Sequence, residues 1–156
     1  MIEITRGDIL KADAEALVNT VNCVGLEGKG LAAQFRDAFP RVSRSYRAAC
    51  RRNKVQPGCM HVVKIGRTNP RWVINFPTKR HWRGGSQMAD IEAGLTALVA
   101  EVRRLGIRSI AVPPLGCGLG GLSWAAVRPR IERAFLDLPE VRLLLFEPTE
   151  QSSRPL

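Results

Sequence analysis

The stretch Ile107-Arg108-Ser109-Ile110-Ala111-Val112-Pro113-Pro114-Leu115-Gly116-Cys117-Gly118-Leu119-Gly120-Gly121-Leu122 runs from a β-branched apolar segment into four glycines. Ser123 follows as a candidate cap for a helix starting near Trp124. Strand, glycine turn and helix in that order suit a phosphate cradle. Glycines let backbone N–H groups approach an anion closely, and the helix N-terminus adds unpaired donors and a favourable dipole. A glycine-rich turn can equally be only a turn, so the choice rests on the rest of the chain.

Downstream, Trp124, Val127, Ile131, Phe135 and Leu138 share one helical face, with Pro129 marking a kink or a fresh start. Val141 to Phe146 is a continuous apolar strand of the kind buried on both faces. Upstream, Met88, Ile91, Leu95, Leu98, Val102 and Leu105 recur at spacings of three and four, predicting a helix capped by Ser86 and ended by Gly106. Further strands are expected at Ile2 to Thr5, Ala16 to Val21, His61 to Ile65 and Trp72 to Phe76. A helix from about Leu31 to Phe39 should stop at Pro40, and Arg41 to Arg52 reads as a second helix whose arginines form a solvated face. Strands alternating with amphipathic helices indicate a layered α/β fold with a mostly parallel sheet, whose ligands bind at the carboxyl ends of the strands. Asn22, the loop from Gly25 to Gly30, Lys79 and the loop from Gly116 to Gly121 all follow strands, so one cleft should collect them.

With 156 residues and 45% hydrophobic content, the chain is large enough for one self-sufficient core. Residues 1–148 form the expected domain and 149–156 a polar tail or the start of a linker. No apolar run approaches the roughly 20 residues of a bilayer span, and the N-terminus lacks the regions of a signal peptide, so a cytoplasmic protein with no membrane partner is expected. Cys23, Cys50, Cys59 and Cys117 lack metal-ligand spacing and His61 and His81 stand apart, so neither metal nor cofactor is expected. Cys117 reads as a small side chain filling a crowded turn, since no histidine or acid lies near it in sequence to activate a thiol. The formal charge of +10, carried mostly by arginine, points to a polyanionic partner such as nucleic acid. Gly116-x-Gly118-x-x-Gly121 formally matches a dinucleotide fingerprint, but it lies near the end of the chain behind Pro113-Pro114. Gly28-Lys29-Gly30 lacks the Ser or Thr that a P-loop requires.

Taken in order, Gly7-Asp8-Ile9, Val18-Asn19-Thr20-Val21-Asn22, Gly28-Lys29-Gly30-Leu31-Ala32 and Gly116-Cys117-Gly118-Leu119-Gly120-Gly121 resemble the macrodomain family, the module that binds ADP-ribose, over nearly the whole chain. The resemblance implies a three-layer α/β/α fold around a central mixed, mostly parallel sheet, with one or both outer strands antiparallel. It also implies that Asp8 accepts from the adenine amine beside the Ile9 backbone, with Phe146 near the ring. Gly28, Lys29, Gly30 and Leu31 on one side, and Leu115, Gly116, Cys117, Gly118, Leu119 and Gly120 on the other, would hold the diphosphate. Asn22 would hold the hydroxyls of the distal ribose.

Phe76-Pro77-Thr78-Lys79 and the basic loop after it are similar to the branch containing terminal ADP-ribose protein glycohydrolase and the DarG antitoxins. That likeness makes Lys79 catalytic together with Asn22, with Thr78 at the ligand. The protein-directed member of the branch carries an aspartate where this chain has Gly120, which weakens the route through carboxylate esters. The implied activity is DarG-type removal of ADP-ribose from thymine in single-stranded DNA, reversing a DNA ADP-ribosyltransferase toxin that is also the candidate protein partner. Arg80, His81, Trp82 and Arg83 would meet the DNA by stacking and phosphate contact. Hydrolysis of ADP-ribosylated protein side chains and non-catalytic ADP-ribose binding are the alternatives.

Overall fold

The computed structural model describes residues 1–149, so the predicted tail lies outside the described residues beyond Thr149. Six strands, β1 (Ile2–Thr5), β2 (Ala16–Asn22), β3 (His61–Lys64), β4 (Trp72–Lys79), β5 (Ser109–Val112) and β6 (Arg142–Phe146), form one sheet in the order β1-β6-β5-β2-β4-β3. All pairings are parallel except β3 with β4. One outer strand is therefore antiparallel and the other, β1, is parallel.

The period-two alternation of the strands sorts their side chains onto two faces. Ala16, Val18, Ile74, Phe76, Ile110, Val112, Leu143 and Leu145 point to one side. There they meet Ile91, Leu95, Leu98 and Val102 of α3 (Met88–Leu105) and Val127, Ile131 and Phe135 of α4 (Trp124–Phe135). Leu17, Val73, Ala111, Leu144 and Phe146 point to the other, against Phe35 of α1 (Gly30–Ala38) and Val42 of α2 (Pro40–Arg51). Full burial of such side chains is worth roughly 1.5–3 kcal/mol each, and these two cores hold the helices on opposite faces as the expected three layers. No helix among the described residues is long and apolar enough to cross a membrane.

Several local expectations shift. Helix α1 does end before Pro40, with Phe39 as its C-cap, but Pro40 also opens α2 at the first helical position, where its missing N–H has no partner to lose. Pro129 lies inside α4, which continues through it. Strand β4 does not end at Phe76 but runs on through Pro77 and Thr78 to Lys79. Proline is tolerated there because β3 covers β4 only from Trp72 to Asn75 and the ladder with β2 is irregular at Val21/Asn22. Ser86 does not cap α3, whose N-cap is Gln87; its backbone N–H instead donates to the Gly120 carbonyl at 2.9 Å. Ser123 does sit at the N-cap of α4 but makes no side-chain capping bond.

A polar chain crosses the sheet. Asn19 Nδ2 donates to Asn75 Oδ1 (3.0 Å), Asn75 Nδ2 donates to His61 Nδ1 (2.9 Å), and His61 Nε2 lies 3.1 Å from Ser45 Oγ on α2. This arrangement fits a neutral imidazole with its proton on Nε2, and burial lowers the His61 pKa below its ordinary 6.5. Because the unfolded chain takes up this proton more readily, the contribution to stability is complete above about pH 6.5 and is lost as pH falls through the folded value. Chemical denaturation at pH 7 and pH 5 should show this loss, and His61→Gln should reduce the difference.

Gly94 brings α3 onto the sheet, since a Cβ there would overlap the Phe76 ring. Gly94→Ala should therefore destabilise the fold by about 1–3 kcal/mol through overpacking, although alanine is the better helix former by about 1 kcal/mol. Urea titration reads the sign directly.

Candidate ADP-ribose cleft

At the carboxyl ends of β2, β4 and β5 lies a cleft of about 690 Å³, within the roughly 300–1,000 Å³ of small-molecule sites. Its walls bring together Asn22, Gly28, Lys29, Gly30, Leu31, Thr78, Lys79, Trp82 and Arg83 with Gly116, Cys117, Gly118, Leu119 and Gly120. All four segments expected at one edge thus meet. Sequence reasoning missed Thr20, Val21, Leu26, Ala32, Pro113 and Pro114, which also line it.

Asn22 ends β2 and shapes the loop beyond it. Its Oδ1 accepts from the backbone N–H groups of Val24 (3.1 Å), Gly25 (3.1 Å) and Leu26 (3.3 Å) and from the Tyr46 hydroxyl (3.0 Å). Its Nδ2 donates to the Leu26 carbonyl at 2.8 Å, and an amide nitrogen carries a second hydrogen. Three backbone donors converging on one atom fix that atom as oxygen, so the amide orientation follows from chemistry. Tyr46, read from sequence only as an inward residue of α2, also donates to the Asn22 carbonyl at 2.7 Å, and burial pushes its phenol up from its ordinary value. The rest of the loop is pinned by Ser43 Oγ donating to buried Glu27 (2.7 Å) and by Arg36 donating to the Glu27 carbonyl (2.8 Å).

The loop delivers the chain to α1, which begins at Gly30 with Lys29 as an N-cap that makes no side-chain bond. The N–H groups of its first turn are left for a ligand, at the positive end of the helix dipole. Across the cleft, Gly116 and Gly118 adopt φ of 73° and 68°, a region that favours glycine. Cys117 N–H donates to Pro114 and Leu122 N–H to Gly116, while the N–H groups of Gly118 and Leu119 have no partner among the described residues. Two sets of main-chain donors therefore face one volume. Burial raises the Cys117 thiol to about 11, and its Sγ lies 3.7 Å from the Leu115 carbonyl, in keeping with an inert filler.

Lys79 closes β4 beside Asn22, its register partner on β2. Burial lowers its ammonium from the ordinary 10.5, and no carboxylate among the described residues pairs with it. Gly120 offers no acid, and a Cβ there would meet Ser86 Oγ unless the serine side chain rotated away.

Other expected site residues lie elsewhere. Leu115 is fully buried beneath the loop and reaches the ligand volume with no side-chain atom. Phe146 is 7% exposed in the core with Ile9 and Phe35 and presents no free ring face to a ligand. Asp8 and Ile9 stand past the cleft after β1, where Asp8 Oδ1 accepts from Leu10 N–H at 3.0 Å and the Ile9 N–H has no partner among the described residues. Arg80 is not a free phosphate ligand: its Nε and Nη2 each donate to Asp90 at 3.1 Å. Asp90 is buried at the start of α3 and would be costly to leave unpaired. His81 stacks on Trp82 at 5.5 Å and Arg83 covers the indole at 4.5 Å, leaving Trp82 43% exposed at the rim.

The Macro domain family profile matches residues 18–131. A Mycobacterium tuberculosis protein named DNA ADP-ribosyl glycohydrolase is 50% identical over 150 residues, 96% of this chain and 43% of its own length. The chain thus spans less than half of that curated relative. The structure of the macrodomain of Mycobacterium tuberculosis DarG superposes with a TM-score of 0.94 at 50% identity, covering 96% of this chain and 99% of that one. Thermosipho africanus DarTG in complex with ADP-ribose gives 0.89 at 34% identity, over 96% of this chain and 42% of that one.

Asn22→Asp keeps an acceptor for the three loop N–H groups but loses the amide donor, whereas Asn22→Ala loses both. The aspartate variant should retain the wild-type melting temperature more closely while binding ADP-ribose at least about tenfold more weakly, the scale of one lost hydrogen bond to a buried polar group. Calorimetric titration and thermal melts separate the two effects.

Proposed function

The chain belongs to the macro domain family, and from that premise we propose that it is a glycohydrolase that releases ADP-ribose from thymine in single-stranded DNA. The observation that carries the reading is Lys79: an amine with no carboxylate partner among the described residues, its pKa lowered by burial, set beside Asn22 in a cleft bordered by two glycine loops whose main-chain donors suit phosphates. The name and structure of the Mycobacterium tuberculosis relative support the substrate class. The basic surface and the exposed Trp82–Arg83 pair at the cleft mouth suit a nucleic acid, and the crowding of Gly120 by Ser86 disfavours the ester-cleaving alternative.

The cradles hold the diphosphate, and the spare Asn22 amide hydrogen meets a hydroxyl of the distal ribose. That places the anomeric carbon before Lys79. In the covalent route neutral Nζ attacks this carbon, and the C–N bond to thymine breaks with its electron pair leaving on the base, which takes a proton from the new ammonium. Ring opening gives an iminium, and water hydrolyses it to ADP-ribose and free lysine. In the proton-transfer route Lys79 relays a proton between water and the departing base. A borohydride-trapped adduct on Lys79 distinguishes the first from the second. The reversed modification makes a DNA ADP-ribosyltransferase toxin the natural counterpart, a pairing supported by the Thermosipho africanus relative named a DNA ADP-ribosyl transferase-DNA ADP-ribosyl glycohydrolase fusion protein.

Lys79→Ala should reduce release from an ADP-ribosylated oligonucleotide by about 100-fold or more with ADP-ribose affinity retained, and Lys79→Arg, which stays protonated, should be equally inactive. The neutral amine becomes more abundant as pH rises, so wild-type turnover should climb and level off below the ordinary lysine value of 10.5. Release from ester-linked ADP-ribosyl protein but not from DNA would overturn the proposal.

A further inference from the structure

Between Asp37 and Asp90 the sequence contains no acidic residue, while lysine and arginine recur throughout. Within this span α2 buries Val42, Ser43, Tyr46 and Cys50. Arg44, Arg47 and Arg51, spaced by three and four residues, are exposed on its other side and stand in a row about 10 Å long. None of the three makes an ion pair among the described residues, whereas Arg36, Arg104, Arg128, Arg130 and Arg142 each pair with a carboxylate. Like charges at these spacings oppose helix formation, so the row works against α2 unless an anion lies along it.

The row is continuous with the cleft. A Cβ built on Gly25, in the loop that Asn22 organises, would lie 3.9 Å from Arg47 Cγ and 3.5 Å from Cys50 Cβ. Tyr46 of the same helix holds Asn22 itself. Cationic side chains therefore stand both in the cleft wall, at Arg83 over Trp82, and on the helix against which the Gly25 loop packs. Only Ser45 and Ala48 lie among the arginines, so the row lacks the aromatic or aliphatic anchors on which protein interfaces depend. A phosphodiester backbone needs none.

We propose that the Arg44, Arg47 and Arg51 face of α2 is a track for the sugar-phosphate backbone of single-stranded DNA where the strand runs past the Gly25 loop beside the cleft. The proposal rests on the hydrolase acting on DNA and adds where the strand runs. It makes α2 a sequence-independent contact that raises affinity for long substrates and leaves the chemistry at Lys79 untouched.

Three proteins test it: wild type, Arg44→Gln/Arg47→Gln/Arg51→Gln, and the charge-retaining Arg44→Lys/Arg47→Lys/Arg51→Lys. Fluorescence anisotropy with an unmodified single-stranded oligonucleotide reads affinity against salt, and circular dichroism reads the fold. The glutamine variant should bind at least tenfold more weakly at low salt, with its log–log salt slope flattened by about 2, as three lost phosphate contacts at roughly 0.7 each require. The lysine variant should retain most of the slope and of the affinity. Release of ADP-ribose from ADP-ribosylated thymidine, too short to reach α2, should match wild type in both variants. Unchanged oligonucleotide affinity and slope in the glutamine variant would overturn the track. So would an equal loss in an Arg103→Gln/Arg133→Gln control, or DNA affinity left intact while binding to poly-glutamate is lost, which would assign the face to an acidic protein. If the glutamine variant misfolds, a lysine variant with wild-type fold but no salt-sensitive binding overturns it as well. Oligonucleotide binding through these arginines without release from either ADP-ribosylated substrate would refute the hydrolase reading and leave the track standing.

Discussion

One amide oxygen carries more of this architecture than any other polar atom. Asn22 Oδ1 gathers three backbone N–H groups and the Tyr46 hydroxyl, at a point where β2 has ended and α1 has not begun. A loop of this kind would otherwise lose its order to chain entropy, at about 1–2 kcal/mol per residue fixed. Satisfying three donors at one acceptor turns it into a defined approach to the first turn of α1. The first-turn N–H groups of α1 are therefore presented before any ligand arrives, and for the function proposed above binding energy is not spent on building their approach.

The two polar groups that end β2 and β4 side by side differ in how they are held. Asn22 is immobilised by its own hydrogen bonds, while the Lys79 side chain makes none among the described residues and extends from the end of a strand buried from Val73 to Thr78. That contrast suits a binding group and a reacting group. The first must not move, and the second must be free to change its bonding as a proton or carbon is transferred. Arg80 strengthens the arrangement indirectly: pinned to Asp90, it anchors the chain just past Lys79 to α3 instead of reaching out to substrate.

Local chemistry set the limit of what was legible in the sequence. The strands and helices followed from periodicity, and the cleft from four glycine or polar segments that each follow a strand. The features that escaped depended on contacts far apart in the chain. Pro77 reads as the end of a strand until β3 is known to stop short beside it. Ser86 has the composition of a cap, but its backbone is engaged by Gly120. Arg80 looks like one more cation of a basic loop, and only the packing of α3 shows Asp90 within its reach. Phe146 and Leu115 were placed at the ligand through resemblance, and their burial comes from lying on the core side of β6 and of the glycine loop. Tyr46 carried no signal beyond its inward spacing, because its role depends on where Asn22 lies.

The close approach of Gly120 and Ser86 bears on how such a domain can diverge. Glycine and aspartate codons can differ by a single nucleotide, yet the first side-chain carbon of an aspartate at position 120 would land on the serine hydroxyl, which is already buried without a hydrogen-bond partner among the described residues. Introducing the acid therefore requires the Ser86 side chain to rotate away or to shrink. Mutational access to an acid at this position is thereby coupled to the rotamer and size of the side chain at position 86, which makes the two sites epistatic.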